Sequence, residues 1–315
     1  MSILKKALSA AIVAGLVSTV GIVPADAAPK NQARAVAQPD WLEANLDNPK
    51  VRIIEVSTEP GIYERGHIKN AIKFVWHTDL VDTVNRDIIS AKNFSKLVQK
   101  AGISDDTTVV LYGDKNNWFA AWGAWIFNIY GQKDVRVLDG GRVKWEKDGR
   151  PLTTVVPTFS AGNFTATKAD KSLRATLIND VLPVAKKRVK ADLVDIRGVD
   201  EYNGKIFAAP GFQELAVRAG HIPGAINVPW GSNVNADGTF KTVAELKKLY
   251  ADKGIDGKQN IITYCRIGER SSLTWFVLSE ILGYNVKNYD GSWTEYGNSV
   301  GVPIVNNAGT IWGAA

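Results

Sequence analysis

The chain has 315 residues, of which 45% are hydrophobic, and this length suffices for two compact domains, each with its own core. The formal charge is +6, and basic residues alternate with acidic ones except at Lys186-Lys187-Arg188 and Lys190, a cluster typical of a solvated helix face rather than of a nucleic-acid-binding surface. The single cysteine, Cys265, excludes an internal disulfide.

Residues 1–27 have the pattern of a signal peptide. Two lysines precede the apolar run 7–23, and Ala25-Asp26-Ala27 has the small-x-small form of a signal-peptidase site. An uncleaved membrane anchor is the alternative, but glycines interrupt the run and Pro24 ends it. No later stretch is long and apolar enough to span a bilayer. We therefore expect a protein exported to the periplasm, cell envelope or exterior, beginning near Ala28 and without stable membrane insertion after cleavage.

The rest of the chain repeats one ordered set of signals. In each half, an apolar strand that ends in an acid comes first. A glycine-histidine turn, a second apolar strand and an Asp-Gly turn with a nearby tryptophan follow. The first half carries these signals at 51–55, 66–67, 108–114 and 139–145, and the second at 191–195, 220–221, 260–266 and 290–293. Such a duplication predicts two domains of the same fold.

The repeated unit belongs to the α/β class. Short apolar strands alternate with helical segments such as 91–101 and 243–252, which indicates right-handed crossovers between parallel strands. We predict two similar domains, each a parallel sheet flanked by helices on both faces. The predicted ranges are 38–150 for the first domain, 151–175 for a linker, 176–305 for the second domain, and 203–217 for an insertion within the second domain.

Cys265 follows the apolar strand 261–264 and precedes a helix predicted at 272–282. Open α/β sheets bind ligands at this carboxyl end of their strands. Arg266 and Arg270 add positive charge, and the N–H groups of a short loop before a helix can converge on the sulfur. Both effects favour the thiolate that a nucleophilic cysteine requires. The predicted active-site loop also contains Ile267, Gly268, Glu269 and Ser271.

The run CRIGERSS at 265–272, with GHIPGAINVPW at 220–230, resembles the active-site loop and upstream motif of rhodaneses, the thiosulfate sulfurtransferases. The resemblance covers nearly the whole chain after residue 27, including the tandem arrangement. It implies an inactive first domain, since Gly113-Asp114 stand in place of Cys265-Arg266. It also implies that the Cys265 thiolate attacks the outer sulfur of thiosulfate, releases sulfite, and passes the persulfide sulfur to cyanide or a thiol. No metal or organic cofactor is required.

The resemblance also gives roles to neighbouring residues. Arg197 matches the family arginine that helps to hold the anionic substrate, beside Arg266 and Arg270. Asp195 matches an aspartate near the loop, for which a turn or cap role is equally open. Arg266 favours thiosulfate over mercaptopyruvate, because mercaptopyruvate sulfurtransferases tend to carry glycine there. Ile267 departs from the family, whose thiosulfate enzymes often carry a basic residue at that position, and Arg270 can supply that charge.

The histidines are interpreted as structural. His67 and His221 occupy the same turn of the two repeats, and His77 has no counterpart in the second half. Three scattered histidines and one cysteine also argue against a zinc site.

Two other functions fit parts of the pattern. A cysteine-dependent phosphatase or arsenate reductase also uses a thiolate in a loop before a helix, but its arginine stands six positions after the cysteine, where this chain has Ser271. An exported binding or sulfur-carrier module without multiple turnover is the alternative from a different class. The intact Cys265 and its arginines argue against such a module, but they leave open a carrier that only delivers sulfur to a partner.

Overall fold

The computed structural model of the chain describes residues 32–213 and 215–312. The predicted signal peptide, residues 1–27, lies outside these ranges, so its cleavage stays a prediction. Among the helices within them, none combines the length and apolar character needed to cross a membrane.

The first half forms a five-stranded parallel sheet in the order β1-β7-β6-β2-β3. Its strands are β1 (Val36–Ala37), β2 (Val51–Glu55), β3 (Ala71–Lys73), β6 (Thr108–Tyr112) and β7 (Asp134–Leu138). A two-stranded antiparallel hairpin, β4 (Val81–Asp82) and β5 (Asp87–Ile88), stands apart from this sheet. The helices are α1 (Gln32–Ala35), α2 (Pro39–Ala44), α3 (Ile62–Arg65), α4 (Trp76–Asp79), α5 (Ala91–Lys100), α6 (Trp118–Ile129) and α7 (Gly141–Lys147), with a 3-10 turn at Lys115–Asn117.

The second half forms a four-stranded parallel sheet in the order β11-β10-β8-β9. Its strands are β8 (Asp192–Asp195), β9 (Ile226–Asn227), β10 (Ile261–Tyr264) and β11 (Val286–Asn288). Its helices are α8 (Leu182–Ala185), α9 (Val199–Tyr202), α10 (Val243–Ala251), α11 (Glu269–Phe276) and α12 (Ser292–Asn298). Short π-helical segments at Leu177–Val181 and Val277–Ile281 and a 3-10 turn at Trp230–Asn233 complete this half.

These elements confirm the predicted α/β fold with parallel sheets flanked by helices. Strand β2 is buried along all five of its residues, as expected for a parallel strand covered on both faces. The central helices α6 and α11 pack against each other, so one hydrophobic cluster runs through both halves. Trp122 and Trp125 of α6 and Leu273 and Phe276 of α11 belong to this cluster and are fully buried. The two halves therefore share a core.

Two sequence expectations need correction. The basic cluster at 186–190 is exposed but lies in the turn after α8, not on a helix face, because α8 ends at Ala185. The helix predicted at 272–282 begins earlier, at Glu269, because Gly268 adopts a left-handed conformation and turns the chain directly into the helix. It ends through the π-helical segment that reaches Ile281.

Candidate active site

Cys265 directly follows β10, an interior strand of the second sheet. Only residues 265–268 form the loop, because α11 begins at Glu269. The predicted loop residues Glu269 and Ser271, together with Arg270, therefore lie on the first turn of the helix. Gly268 has φ +104°, and an added Cβ would lie 2.7 Å from the Cα atom of Asp290. Glycine is thus required for the close approach that closes the loop.

The sulfur of Cys265 sits at the inner end of this loop. Its side chain is 0% exposed and forms no disulfide. The N–H of Gly268 donates to Sγ at 3.1 Å, and Ser292 Oγ lies 4.0 Å from Sγ. Ser292 Oγ also accepts from the Cys265 N–H at 3.1 Å and donates to the Tyr289 carbonyl at 2.6 Å. The sulfur therefore has a backbone donor of the kind that stabilises an anion.

Arg270 places a positive charge that interacts with Cys265. Its guanidinium pairs with both carboxylate oxygens of Glu201, at 3.2 and 3.3 Å, and both side chains are largely buried. Burial by itself lowers the pKa of Arg270, but the charges of Cys265 and Glu201 outweigh it and raise the pKa above its ordinary value. The guanidinium also lies 5.9 Å from the Trp118 ring of the first half and 6.0 Å from the Phe212 ring. Sequence reasoning missed Glu201 and Phe212.

Arg266 is half-buried and is directed toward the insertion at 203–217. Its Nη1 donates to the Gln213 carbonyl at 2.8 Å, and its guanidinium lies 5.8 Å from the Phe212 ring. The two arginines therefore approach the same aromatic ring from positions four residues apart. A single backbone partner leaves Arg266 with further N–H donors for an anion.

Arg197 and Asp195 form a buried ion pair. Arg197 donates to both carboxylate oxygens of Asp195, at 2.6 to 3.2 Å, and to the Gly220 carbonyl at 2.7 Å. The first half has an equivalent buried ion pair, in which Arg142 donates to Glu55 and to the Gly66 carbonyl. This repetition in a half without a nucleophile indicates a structural function. The role of Arg197 in binding the substrate stays a prediction.

Ser271 and Glu269 face inward from the start of α11. Ser271 Oγ donates to the Gly268 carbonyl at 2.8 Å and lies 2.7 Å from Asn288 Oδ1. The position at which a phosphatase needs an arginine is therefore a fully buried hydroxyl. Glu269 is 2% exposed, and burial raises its pKa to about 8, although the charges of Arg86 and Arg266 act in the opposite direction.

Ile267 connects the loop to the first half. Its carbonyl accepts from Arg86 Nη2 at 2.7 Å, across 181 positions of sequence. Its side chain lines a cavity of about 490 Å³ at the boundary between the halves, whose other walls include Arg86, Arg174 and Asp290. Sequence reasoning missed Arg86 because nothing near it in the chain marks a contact with the loop. Ser292 was also missed, although its departure from the corresponding Gly141 of the first repeat was a usable signal.

His67 and His221 lie at the predicted glycine-histidine turns, where each forms an isolated β-bridge, and His77 lies in α4. His67 stacks on Tyr63 with ring centroids 3.8 Å apart, and its Nδ1 lies 3.0 Å from the Tyr63 carbonyl. His221 stacks on Tyr202 at 3.7 Å in the same way, and burial lowers its pKa. Among the described residues, no group of three or more His, Cys, Asp or Glu side chains could hold a metal ion.

In the first half, Gly113-Asp114 occupy the place of the nucleophile. Asp114 accepts hydrogen bonds from the backbone N–H groups of Thr58 and Glu59, at 2.8 to 3.1 Å. Its carboxylate therefore holds a neighbouring loop. Nothing at this position can form a persulfide.

Comparison with known proteins agrees with this geometry. The profile of the rhodanese-like domain matches residues 38–148 and 182–299. A putative thiosulfate sulfurtransferase of Mycolicibacterium smegmatis is 52% identical over 267 residues, which cover 84% of this chain and 95% of that protein. The sulfur carrier protein TtuD of Thermus thermophilus is 53% identical over 269 residues, covering 84% and 94%.

A solved structure shows the same fold. The 3-mercaptopyruvate sulfurtransferase SseA of Escherichia coli superposes with a TM-score of 0.70 at 27% identity, covering 82% of this chain and 98% of that one. The two matches of the domain profile and the high identity to full-length relatives establish the family. The chain belongs to the rhodanese family and carries two rhodanese-like domains in tandem.

Proposed function

We propose that this sulfurtransferase moves the outer sulfur of thiosulfate to a thiophilic acceptor, cyanide or a thiol, through a persulfide on Cys265. The observation that carries the proposal is the Gly268 N–H placed 3.1 Å from Sγ, with Arg270 close enough for the two charges to interact. Relatives named thiosulfate sulfurtransferases support the choice of donor.

The reaction needs no external oxidant or reductant. The Cys265 thiolate attacks the outer sulfur, a new S–S bond forms, and the S–S bond of thiosulfate breaks with its electron pair on sulfite. The acceptor then attacks the terminal sulfur of the persulfide, and the Cys265 thiolate leaves. Arg266 and Arg270 stabilise the negative charge that develops on the departing sulfite, and the Gly268 N–H stabilises the cysteine sulfur. Cys265 is fully buried, so the donor reaches it only when surrounding side chains move.

Intact mass spectrometry tests the persulfide. After incubation with thiosulfate, the protein should gain about 32 Da, and digestion should place the added sulfur on Cys265. Cyanide should then remove it. The Cys265→Ser variant is the matched control, because oxygen cannot form the persulfide and the change in volume is small. A gain of one sulfur by this variant, or no gain by the wild type, would contradict the proposal.

A carrier without multiple turnover is the second candidate, because the relative TtuD is named a sulfur carrier protein. Both candidates form the same persulfide and differ in the second step. With excess thiosulfate and cyanide, an enzyme forms many equivalents of thiocyanate per Cys265. A carrier forms about one equivalent until its partner is supplied.

Donor choice is tested by steady-state kinetics with thiosulfate and mercaptopyruvate. Thiosulfate is a small dianion, and the planar donors of Arg266 meet both its charge and its hydrogen-bond acceptors. We expect a higher kcat/KM for thiosulfate. A higher value for mercaptopyruvate, the substrate named for SseA, would show that Arg266 does not determine the donor.

We also propose that the protein works outside the cytoplasm after removal of residues 1–27. The support is the sequence pattern alone. N-terminal sequencing of envelope or secreted material should begin near Ala28, and a sequence that begins at Met1 would refute cleavage.

A further inference from the structure

The turn between β4 and β5 of the first domain reaches the active-site loop of the second. Arg86, in this turn, has φ +53° and is 45% exposed. Its Nη2 donates to the Ile267 carbonyl at 2.7 Å. The same guanidinium lies 3.8 Å from Glu269 Oε1 and 3.9 Å from Asp290 Oδ2. One side chain of the domain without a nucleophile therefore contacts three groups around the loop.

The carbonyl that Arg86 contacts belongs to the peptide group whose N–H reaches the sulfur. In a trans peptide, the C=O and N–H bonds point in opposite directions within one plane. The described residues contain no cis peptide bond. The Ile267 oxygen thus faces Arg86 while the Gly268 N–H of the same plane faces Sγ at 3.1 Å. Arg86 and Cys265 lie at the two ends of a single peptide unit.

This arrangement fixes the direction of the peptide and strengthens it as a donor. A hydrogen bond from a charged guanidinium to the carbonyl polarises the group, and polarised hydrogen bonds strengthen those in series with them. Without Arg86, the plane could rotate about the flexible Gly268 and turn its N–H away from the sulfur.

Neighbouring ion pairs hold the turn in place. Arg174 pairs with Asp87 beside Arg86 and donates to both carboxylate oxygens of Asp290, at 3.0 Å each. Burial lowers the pKa of Arg174, but the charges of Asp290 and Asp87 outweigh it and raise the pKa. The backbone N–H groups of Val84 and Asn85 donate to Asp82 within the turn. These contacts therefore fix the conformation and position of the turn that carries Arg86.

We propose that Arg86 is a positioning residue for Cys265, acting through the Ile267–Gly268 peptide. The first domain would then contribute to the reactivity of the second, beyond packing and forming the cleft. The inference depends on the proposed function only in taking Cys265 as the nucleophile. It requires neither thiosulfate as the donor nor any particular acceptor.

The test uses alkylation of Cys265 by iodoacetamide in the full chain, followed by mass spectrometry at a series of pH values. The single cysteine makes the site of alkylation unambiguous. Arg86→Met keeps side-chain length without charge or N–H donors, and Arg86→Lys keeps the charge. Arg65→Met is the matched control, because Arg65 is an exposed arginine of the same domain that also donates to a backbone carbonyl, that of Pro60.

We expect Arg86→Met to slow alkylation near pH 7 by about three- to tenfold and to move the rate–pH curve to higher pH, with partial recovery in Arg86→Lys. Arg65→Met should follow the wild type. Each variant is compared at a temperature at which its thermal unfolding curve shows it fully folded. The other charged groups around the loop are the same in all four proteins. They are Arg266, Arg270, Glu201, Glu269 and Asp290.

Superposable curves for Arg86→Met and the wild type would overturn the proposal, as would an equal effect of Arg65→Met. If Arg86→Met does not fold, slowed alkylation in a folded Arg86→Ala, which also lacks the charge and the N–H donors, supports the proposal, and wild-type alkylation overturns it. Because alkylation needs no sulfur donor, the result stands apart from the proposed reaction. If Arg86→Met forms the persulfide with thiosulfate as the wild type does and its alkylation curve is unchanged, only the proposed role of Arg86 is rejected.

Discussion

Removing the charge of Arg270 tests the electrostatic basis of the site. Arg270→Met keeps most of the buried volume but removes the cation whose charge interacts with Cys265. A hydrogen bond to a charged group contributes about 1.5 to 3 kcal/mol, so kcat/KM with thiosulfate should fall about ten- to a hundredfold. The same change leaves Glu201, which is 1% exposed, without its partner. Breaking a buried pair from one side costs about 3 to 5 kcal/mol of unfolding free energy.

A second substitution separates the two effects. In Arg270→Met/Glu201→Gln, the buried charge is gone, and the amide oxygen of the substituted side chain can still accept from the Gly198 N–H, which donates to Glu201 at 3.0 Å in the wild type. The double variant should regain much of the lost unfolding free energy in denaturant titrations while kcat/KM stays low. A folded double variant with kcat/KM within about twofold of the wild type would refute the role of Arg270.

Three further changes have separate expected results. Gly268→Ala should lower the free energy of unfolding by at least about 2 kcal/mol, because the added Cβ would meet the backbone of Asp290. Gly254→Ala is the control, since Gly254 also has positive φ but has open space around it, and its loss should be smaller. Equal losses in the two variants would contradict the prediction. Between pH about 4.5 and about 8, the folded state should hold a proton on Glu269 that the unfolded state releases, so the free energy of unfolding should fall as pH rises. Glu269→Gln should flatten this slope when the free energy of unfolding is measured by chemical denaturation. An unchanged slope in the variant would argue against a raised pKa of Glu269. Asp114→Asn should lower the free energy of unfolding by about 1 to 3 kcal/mol while kcat/KM of the folded enzyme stays unchanged. A loss of sulfur transfer in the folded variant would show that this loop of the first domain takes part in the chemistry.

The fold was predictable because local signals repeat. Strand β2 was predicted at its observed bounds, since an apolar run ending in an acid marks a buried parallel strand. The position of Cys265 followed from the same rule, because ligands bind at the carboxyl ends of such strands. Helix α11 was placed three residues too late. Its first turn carries two charged residues, Glu269 and Arg270, and the conformation of Gly268 that starts it is not visible in the sequence.

The details of the site depend on contacts between distant parts of the chain. Arg86 reaches Ile267 across 181 positions, and Arg270 reaches Glu201 across 69. No periodicity or spacing in the sequence marks either contact. The first forms only when the two domains pack together, and the second only when separate segments of the second domain come together. Arg197 looked like a free cation after a strand, whereas the fold pairs it with Asp195 two residues earlier. Residue types near the cysteine were predictable, but their partners were not.

The most direct test of the central claim follows the sulfur atom itself. Thiosulfate labelled with radioactive sulfur at the outer position only, and a second sample labelled at the inner position only, are mixed with the wild type and with Cys265→Ser. The account predicts that outer label alone is retained, on the peptide that contains Cys265, and that cyanide releases it as thiocyanate. Retention of inner label, or outer label on Cys265→Ser, would contradict transfer through a Cys265 persulfide.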